Sequence, residues 1–212
     1  AWTASEKPQW GSSHFPVAIR GGAGFRLMSS PVSGTVLSDL LDELWTQGMT
    51  GADATTGDPN VWVFDDGTDG GSGSSGDWTA VSDLGAQSLA AGEGVLVYVF
   101  ADGNVDGVSD LPFVLDVSGS PNSGSAVTIS SIGADEWILA GNPYGVALDS
   151  DGFVFNGVQN VVYVYDHSYT SGQTSGSDAA ASPVGGWRTW NGTAGSLAGG
   201  VITPYQGFFV KG

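Results

Sequence analysis

Apolar residues in this chain fall into short runs separated by polar turn residues. The runs are Phe25 to Met28, Val61 to Phe64, Val95 to Phe100, Phe113 to Val117, Ala126 to Ile132, Trp137 to Leu139, Val162 to Tyr165 and Phe208 to Val210. Each has strand length and is rich in β-branched or aromatic residues, which pack well on a pleated surface. Between them stand turn signals such as Asp58-Pro59-Asn60 and Asn142-Pro143, and a Gly/Ser-rich stretch from Gly67 to Gly76 that reads as a surface loop. One segment has the other period. Leu37, Leu40, Leu41 and Leu44 recur at helical spacing, with Asp39, Asp42 and Glu43 between them. This predicts a helix near residues 36–46, capped by Thr35 or Ser38, whose leucines cover a sheet.

The strand pattern is stated twice. Phe25 aligns with Trp137 and Pro31 with Pro143, at an offset of 112 (137 − 25), and Val61 aligns with Val162, offset 101 (162 − 61). Trp78 aligns with Trp187, offset 109 (187 − 78), and Gly94 with Gly207, offset 113 (207 − 94). Offsets that drift only between strands are those of a duplicated β unit with variable loops. The helix finds no counterpart in the second copy, where Ala147 to Phe155 replaces it. The expected fold is therefore all-β: an antiparallel β-sandwich built from two related halves, with one short helix. The organisation is an N-terminal arm (1–22), a first β repeat (23–100), an acidic linker with strands (101–135) and a second β repeat (136–212).

Residues 136–212 carry a specific set of motifs. They are Trp137, the turn Gly141-Asn142-Pro143-Tyr144, the strand Val162 to Asp166, and Pro204-Tyr205-Gln206-Gly207-Phe208-Phe209-Val210. In these the chain resembles a β-rich module found near the C-terminus of secreted Bacteroidota-type surface proteins that leave by the type nine secretion system. Residues 23–100 resemble it more weakly, with Ser29-Ser30-Pro31 at the turn. The resemblance implies an extracellular or cell-surface β-domain whose motif residues are structural, and it does not imply an enzyme. A sorting domain usually follows such a module and is cleaved, so an end at Gly212 fits a matured or a shortened chain.

Charge narrows the partners. The chain has 22 acidic and five basic residues, a net charge of −17. Nucleic-acid backbones and anionic membrane surfaces both need clustered Lys and Arg, so neither is expected as a partner. No apolar run approaches the ~20 residues that a membrane span requires, and no membrane insertion is expected. The absence of cysteine removes disulfides, thiolate metal sites and cysteine nucleophiles from consideration. Cations, neutral glycans and other proteins remain.

Three candidate sites follow. The first is Asp102, Asn104, Asp106 and Asp110, with Gly107 at the sixth place, which matches the first half of a calcium loop. The twelfth place is Phe113 where such a loop carries a bidentate Glu, so a plain polar turn is the competing reading. Asp65, Asp66 and Asp69, and Asp149 with Asp151, are weaker acidic clusters that read as solvated turns. The second is the arm, where Trp2, Trp10, Phe15, Val17 and Ile19 are apolar groups in need of cover. It forms an edge strand of its own domain, or is donated to a neighbouring copy by β-augmentation. The third is a glycan platform of Trp190 and Asn191 with Trp10, the remaining tryptophans in strand motifs being expected in the core. Two separated histidines, His14 and His167, and no nucleophile elbow or zinc-protease motif give no catalytic constellation. The expectation is a non-catalytic, self-associating structural or adhesive subunit, with a carbohydrate-binding module as the alternative.

Overall fold

The structure is a computed structural model and describes residues 15–65, 77–122, 126–128, 133–169 and 185–212. The first stretch runs through β1 (Val17–Ile19), β2 (Gly24–Ser29), β3 (Thr35–Val36), helix α1 (Leu37–Leu40), β4 (Val61–Asp65), β5 (Asp77–Ala80), β6 (Ser88–Leu89) and β7 (Gly94–Val99). After β8 (Phe113–Leu115) the series recurs as β9 (Trp137–Gly141), β10 (Leu148–Asp149), a 3-10 turn at Ser150–Gly152, β11 (Val162–Asp166), β12 (Gly186–Trp190), β13 (Val201–Ile202) and β14 (Gly207–Lys211).

Each repeat forms one four-stranded antiparallel sheet, and the strand order is the same in both: β2-β7-β4-β5 and β9-β14-β11-β12. Registers match as well. Ser29 pairs with Gly94 as Gly141 pairs with Gly207, and Phe64 pairs with Trp78 as Tyr165 pairs with Trp187. Each repeat also holds a two-stranded ribbon, β3 with β6 and β10 with β13. The fold is therefore the expected all-β sandwich of two related halves.

The period-two pattern sorts side chains onto two faces. On the first sheet Met28, Val61, Val95, Val97 and Val99 point to an outer core shared with Leu37, Leu40, Leu84 and Leu115. On the second sheet Val162, Val164, Phe208 and Val210 face a smaller outer core with Leu197 and Ile202. The intervening positions Leu27, Phe64, Leu96, Leu139, Tyr163 and Phe209 meet between the sheets. Burying each of Leu27, Leu139 and Phe209 there contributes roughly 1.5–3 kcal/mol.

The contacts between the sheets are reciprocal, as about a two-fold axis. The Ser29 amide donates to the Tyr205 carbonyl (2.9 Å), and the Gly141 amide donates to the Gly92 carbonyl (2.8 Å). Met28 bridges Gln206 as Ala140 bridges Glu93. Leu27 lies against Gly207, where a Cβ would come within 3.0 Å of it, and Leu139 lies against Gly94. The turns entering β7 and β14 use the same side-chain device: Glu93 Oε2 accepts from the Ala90 amide (2.7 Å) and Gln206 Oε1 from the Thr203 amide (3.4 Å).

The helix is shorter than its leucine spacing predicts. It stops at Leu40 because Leu41 leaves the helical region (φ −116°, ψ 12°), although Leu37, Leu40, Leu41 and Leu44 are all buried. Neither Thr35 nor Ser38 caps it. The amides of Leu37 and Ser38 donate instead to the carbonyls of Gln87 (2.8 Å) and Leu84 (3.1 Å), which removes the need for a side-chain cap. The helix does have a counterpart: Ser150–Gly152 follows β10 as α1 follows β3, shortened to one 3-10 turn. Of the strand expected from Ala126 to Ile132, residues 126–128 are not a strand and the rest lies outside the described residues.

Candidate functional site

The acidic loop after β7 is organised by its own amides. Both Asp102 carboxylate oxygens accept, Oδ2 from Gly107 (2.7 Å) and Oδ1 from Asn104 and Asp106 (both 3.2 Å). Asn104 Oδ1 accepts from the Asp106 amide (3.0 Å), Asp106 Oδ1 from Val108 (2.8 Å) and Asp110 Oδ2 from Gly103 (2.8 Å). Left-handed conformations at Val105 (φ 61°) and Gly107 (φ 88°) make the bend. Desolvation opposes ionisation of Asp102, but the amides of Gly107, Asn104 and Asp106 outweigh it and hold its carboxyl below the usual range. So the four predicted ligands share one loop, with their oxygens turned to backbone N–H groups. Among the described residues, no group of three or more His, Asp or Glu side chains is gathered around one point.

The arm is docked on its own molecule from Phe15 onward. β1 pairs antiparallel with β8, Val17 opposite Leu115 and Ile19 opposite Phe113, and Phe15, Val17 and Ile19 pack on the first outer core. The Phe15 carbonyl accepts from the Tyr205 hydroxyl (2.6 Å), and its ring fills the space where a Cβ on Gly145 would stand. Trp2, Trp10 and His14 lie outside the described residues.

Trp190 and Asn191 are both engaged. The Trp190 indole N–H donates to Asp151 Oδ1 (2.6 Å) and its ring packs on the second outer core. Asn191 Oδ1 caps a turn, accepting from Thr193 (3.0 Å) and Ala194 (2.8 Å). The DSDG segment is a turn too, with Asp149 Oδ1 accepting from Asp151 (3.0 Å). Of the other acidic cluster, Asp66 and Asp69 lie outside the described residues.

The exposed aromatic groups are elsewhere. Trp78 on β5 and Trp187 on β12 are 41% and 47% exposed, although both sit in strand motifs expected to supply core. The reason is topology, since β5 and β12 are the edge strands of the two sheets. Each indole stacks edge-on against its cross-strand partner, Trp78 on Phe64 (centroids 5.0 Å) and Trp187 on Tyr165 (5.3 Å). Both also flank the same buried ring, Phe209, at 6.0 and 5.8 Å. The two repeats thus place equivalent indoles on either side of one phenyl group. The repeat alignment pairs these two residues; their exposure depends on strand order, which hydrophobic period does not carry.

Two further features were not read from the sequence. An apolar groove of about 450 Å³ lies on the outer face of the second sheet, between β9, β14 and Phe153 to Phe155. Beneath the first repeat, Glu43 accepts from the Asp116 amide (3.3 Å) through Oε1, while its Oε2 is buried with no hydrogen-bond partner among the described residues. Burial, and next the neighbouring Asp42 carboxyl, push Glu43 up to about 7. His167 is held below its ordinary value by burial and by the nearby Arg26 cation.

No helix among the described residues is long and apolar enough to cross a membrane. Comparison with family models, with curated proteins and with solved structures returns no match.

Proposed function

We propose that this chain is a non-catalytic structural or adhesive β-module, secreted or held at a cell surface, that associates with copies of itself. The observation that carries the reading is the pair Trp78 and Trp187, exposed on the two sheet edges around Phe209. Edge strands present unpaired backbone groups to a neighbour, and exposed indoles beside them add apolar area and aromatic contact, the composition of interface hot spots. The resemblance of residues 136–212 to a surface module supports the location. The acid spacing from Asp102 to Asp110 supports calcium as a stiffener of the joint between the repeats. Sedimentation of the intact protein over a wide concentration range tests the association. The expected result is a larger species that Trp78→Ser with Trp187→Ser reduces to monomer. A monomer at every concentration, with and without calcium, overturns the reading.

The second reading is carbohydrate binding. The same exposed indoles favour it, because flat aromatic faces suit sugar rings, whereas Trp190 is tied to Asp151. A polysaccharide pull-down separates the two readings. Retention that Trp187→Ala abolishes, in a protein that stays monomeric, supports the glycan role.

A further inference from the structure

We propose that Glu43, Asp116 and Tyr205 form a proton-sensitive latch that holds the β1–β8 ribbon on the first outer core: with Glu43 protonated the ribbon stays closed, and with Glu43 ionised it opens locally. Tyr205 stands where the repeat uses glycine. Its counterpart is Gly92 (205 − 92 = 113, the offset that relates Gly207 to Gly94), and the two carbonyls accept equivalent bonds across the joint, from the Ser29 and Gly141 amides. Both residues are left-handed, φ 89° at Gly92 and 62° at Tyr205, a conformation that a bulky residue rarely adopts. A backbone outlier that its surroundings hold in place points to a role for the side chain. The Tyr205 ring crosses from the second repeat into the first outer core, and its hydroxyl donates to the Phe15 carbonyl (2.6 Å) just before β1. The Val117 amide and the carboxyl groups of Asp116 and Glu43 lie around the same hydroxyl.

Glu43 reaches this point from the segment after α1, with Oε1 on the Asp116 amide just beyond β8 and Oε2 buried. The titratable groups that face it are Asp42 on its own segment, Asp116 at the end of β8 and Tyr205 from the turn before β14, none of them a cation. An ionised Glu43 is poorly solvated there and is repelled first by Asp42 and then by Asp116, which lifts its value to about 7; the bond from the Asp116 amide opposes this without cancelling it. Part of that cover comes from the end of β8 and from Tyr205. Moving the ribbon away admits water to the carboxylate, so ionisation favours the open form. β1 and β8 are three-residue strands paired only with each other, so they can part while both four-stranded sheets stay whole. Opening bares Val17, Ile19 and Leu115, an apolar strand pair, as pH rises toward about 7. The inference does not depend on self-association.

The test is amide hydrogen exchange of the intact chain, followed by NMR in steps from pH 5 to pH 8 and expressed as protection relative to unstructured peptide at the same pH. Ribbon amides should be less protected than those of β7 throughout and insensitive to low urea, the mark of local opening. Their protection should fall about fivefold across the range, a size that allows for the partial exposure of Glu43. Glu43→Gln should remove the fall. Asp42→Asn alters an exposed side chain and should keep the fall but move it to lower pH. Ribbon amides that exchange together with β7, at the same urea dependence, would mean that the ribbon opens only with the whole fold, and overturn the proposal. So would a fall that persists in Glu43→Gln, or a midpoint that Asp42→Asn leaves in place.

Discussion

Ser29 and Gly141 occupy the same place in the two repeats and face each other across the joint, where a Cβ on Gly141 would overlap that of Ser29 and crowd the Glu93 carbonyl. A residue near a two-fold axis meets its own counterpart, and this joint has room for one Cβ, not two. The Ser29 hydroxyl also donates to the carbonyls of Asn142 (3.0 Å) and Gln206 (3.2 Å). Gly141→Ala should therefore cost about 3 kcal/mol by overpacking against backbone that cannot yield. Gly22→Ala, with nothing near its added methyl, should stay within about 0.5 kcal/mol. Chemical denaturation of both variants checks the pair, and equal effects would remove the steric argument.

Glu43 should make stability fall as pH rises. Its native value is about 7 against a reference of 4.5, so the folded state binds the proton more tightly than the unfolded chain. The stabilisation is complete below about 4.5 and is lost as pH climbs to about 7. Its full size would be ~3 kcal/mol, and partial exposure reduces it to about 1 kcal/mol. Glu43→Gln keeps an acceptor for the Asp116 amide and should flatten that part of the profile. Denaturation at pH 5 and pH 8 reads the difference; a variant with the parental slope would show that another group titrates.

Tyr205 ties the arm to the second repeat through its bond to the Phe15 carbonyl and is itself 4% exposed. Tyr205→Phe should cost about 1 kcal/mol, a typical net value for one hydrogen bond. Hydrogen exchange should quicken first at β1 and β8. Loss of stability without faster exchange there would place the hydroxyl's role elsewhere.

Calcium should raise the melting temperature if the loop from Asp102 to Asp110 takes it. Saturation at a hundred times Kd corresponds to ~2.7 kcal/mol. The amides now bonded to Asp102 and Asp106 must then exchange carboxylate oxygen for other acceptors, so their proton shifts should move on titration. Asp102→Asn with Asp106→Asn should abolish both responses. A melting temperature indifferent to calcium and to chelator leaves the loop a self-bonded turn.

Much of the frame was legible in the sequence because each strand of the first repeat keeps its size and period in the second. Phe25 and Trp137, Val61 and Val162, and Gly94 and Gly207 all fall where the alignment places them. What local pattern does not encode is which strand ends at an edge, and so Trp78 and Trp187 have the pattern of core residues while standing 41% and 47% exposed on edge strands. Leu41 and Leu44 continue a helical spacing without a helix, since burial under a sheet needs apolar side chains and not a particular backbone. Asp102 and its neighbours have a ligand-like spacing that turn formation uses equally well, because an amide N–H and a cation both seek carboxylate oxygen. Trp190 stands beside a polar turn, as an exposed platform would, but its bond to Asp151 crosses 39 residues that no local pattern spans.

The joint between the repeats also sets a stoichiometry. Cut in the segment between β8 and β9, the chain would yield two fragments, each with a bare face of Leu27 and Leu96 or of Leu139 and Phe209. Fragments of the first kind would meet Ser29 against Ser29 and repel, whereas one of each kind restores the native fit. Native mass spectrometry of the mixture should find complementary pairs over first-fragment homodimers, the second repeat acting as template for the first where the first cannot template itself.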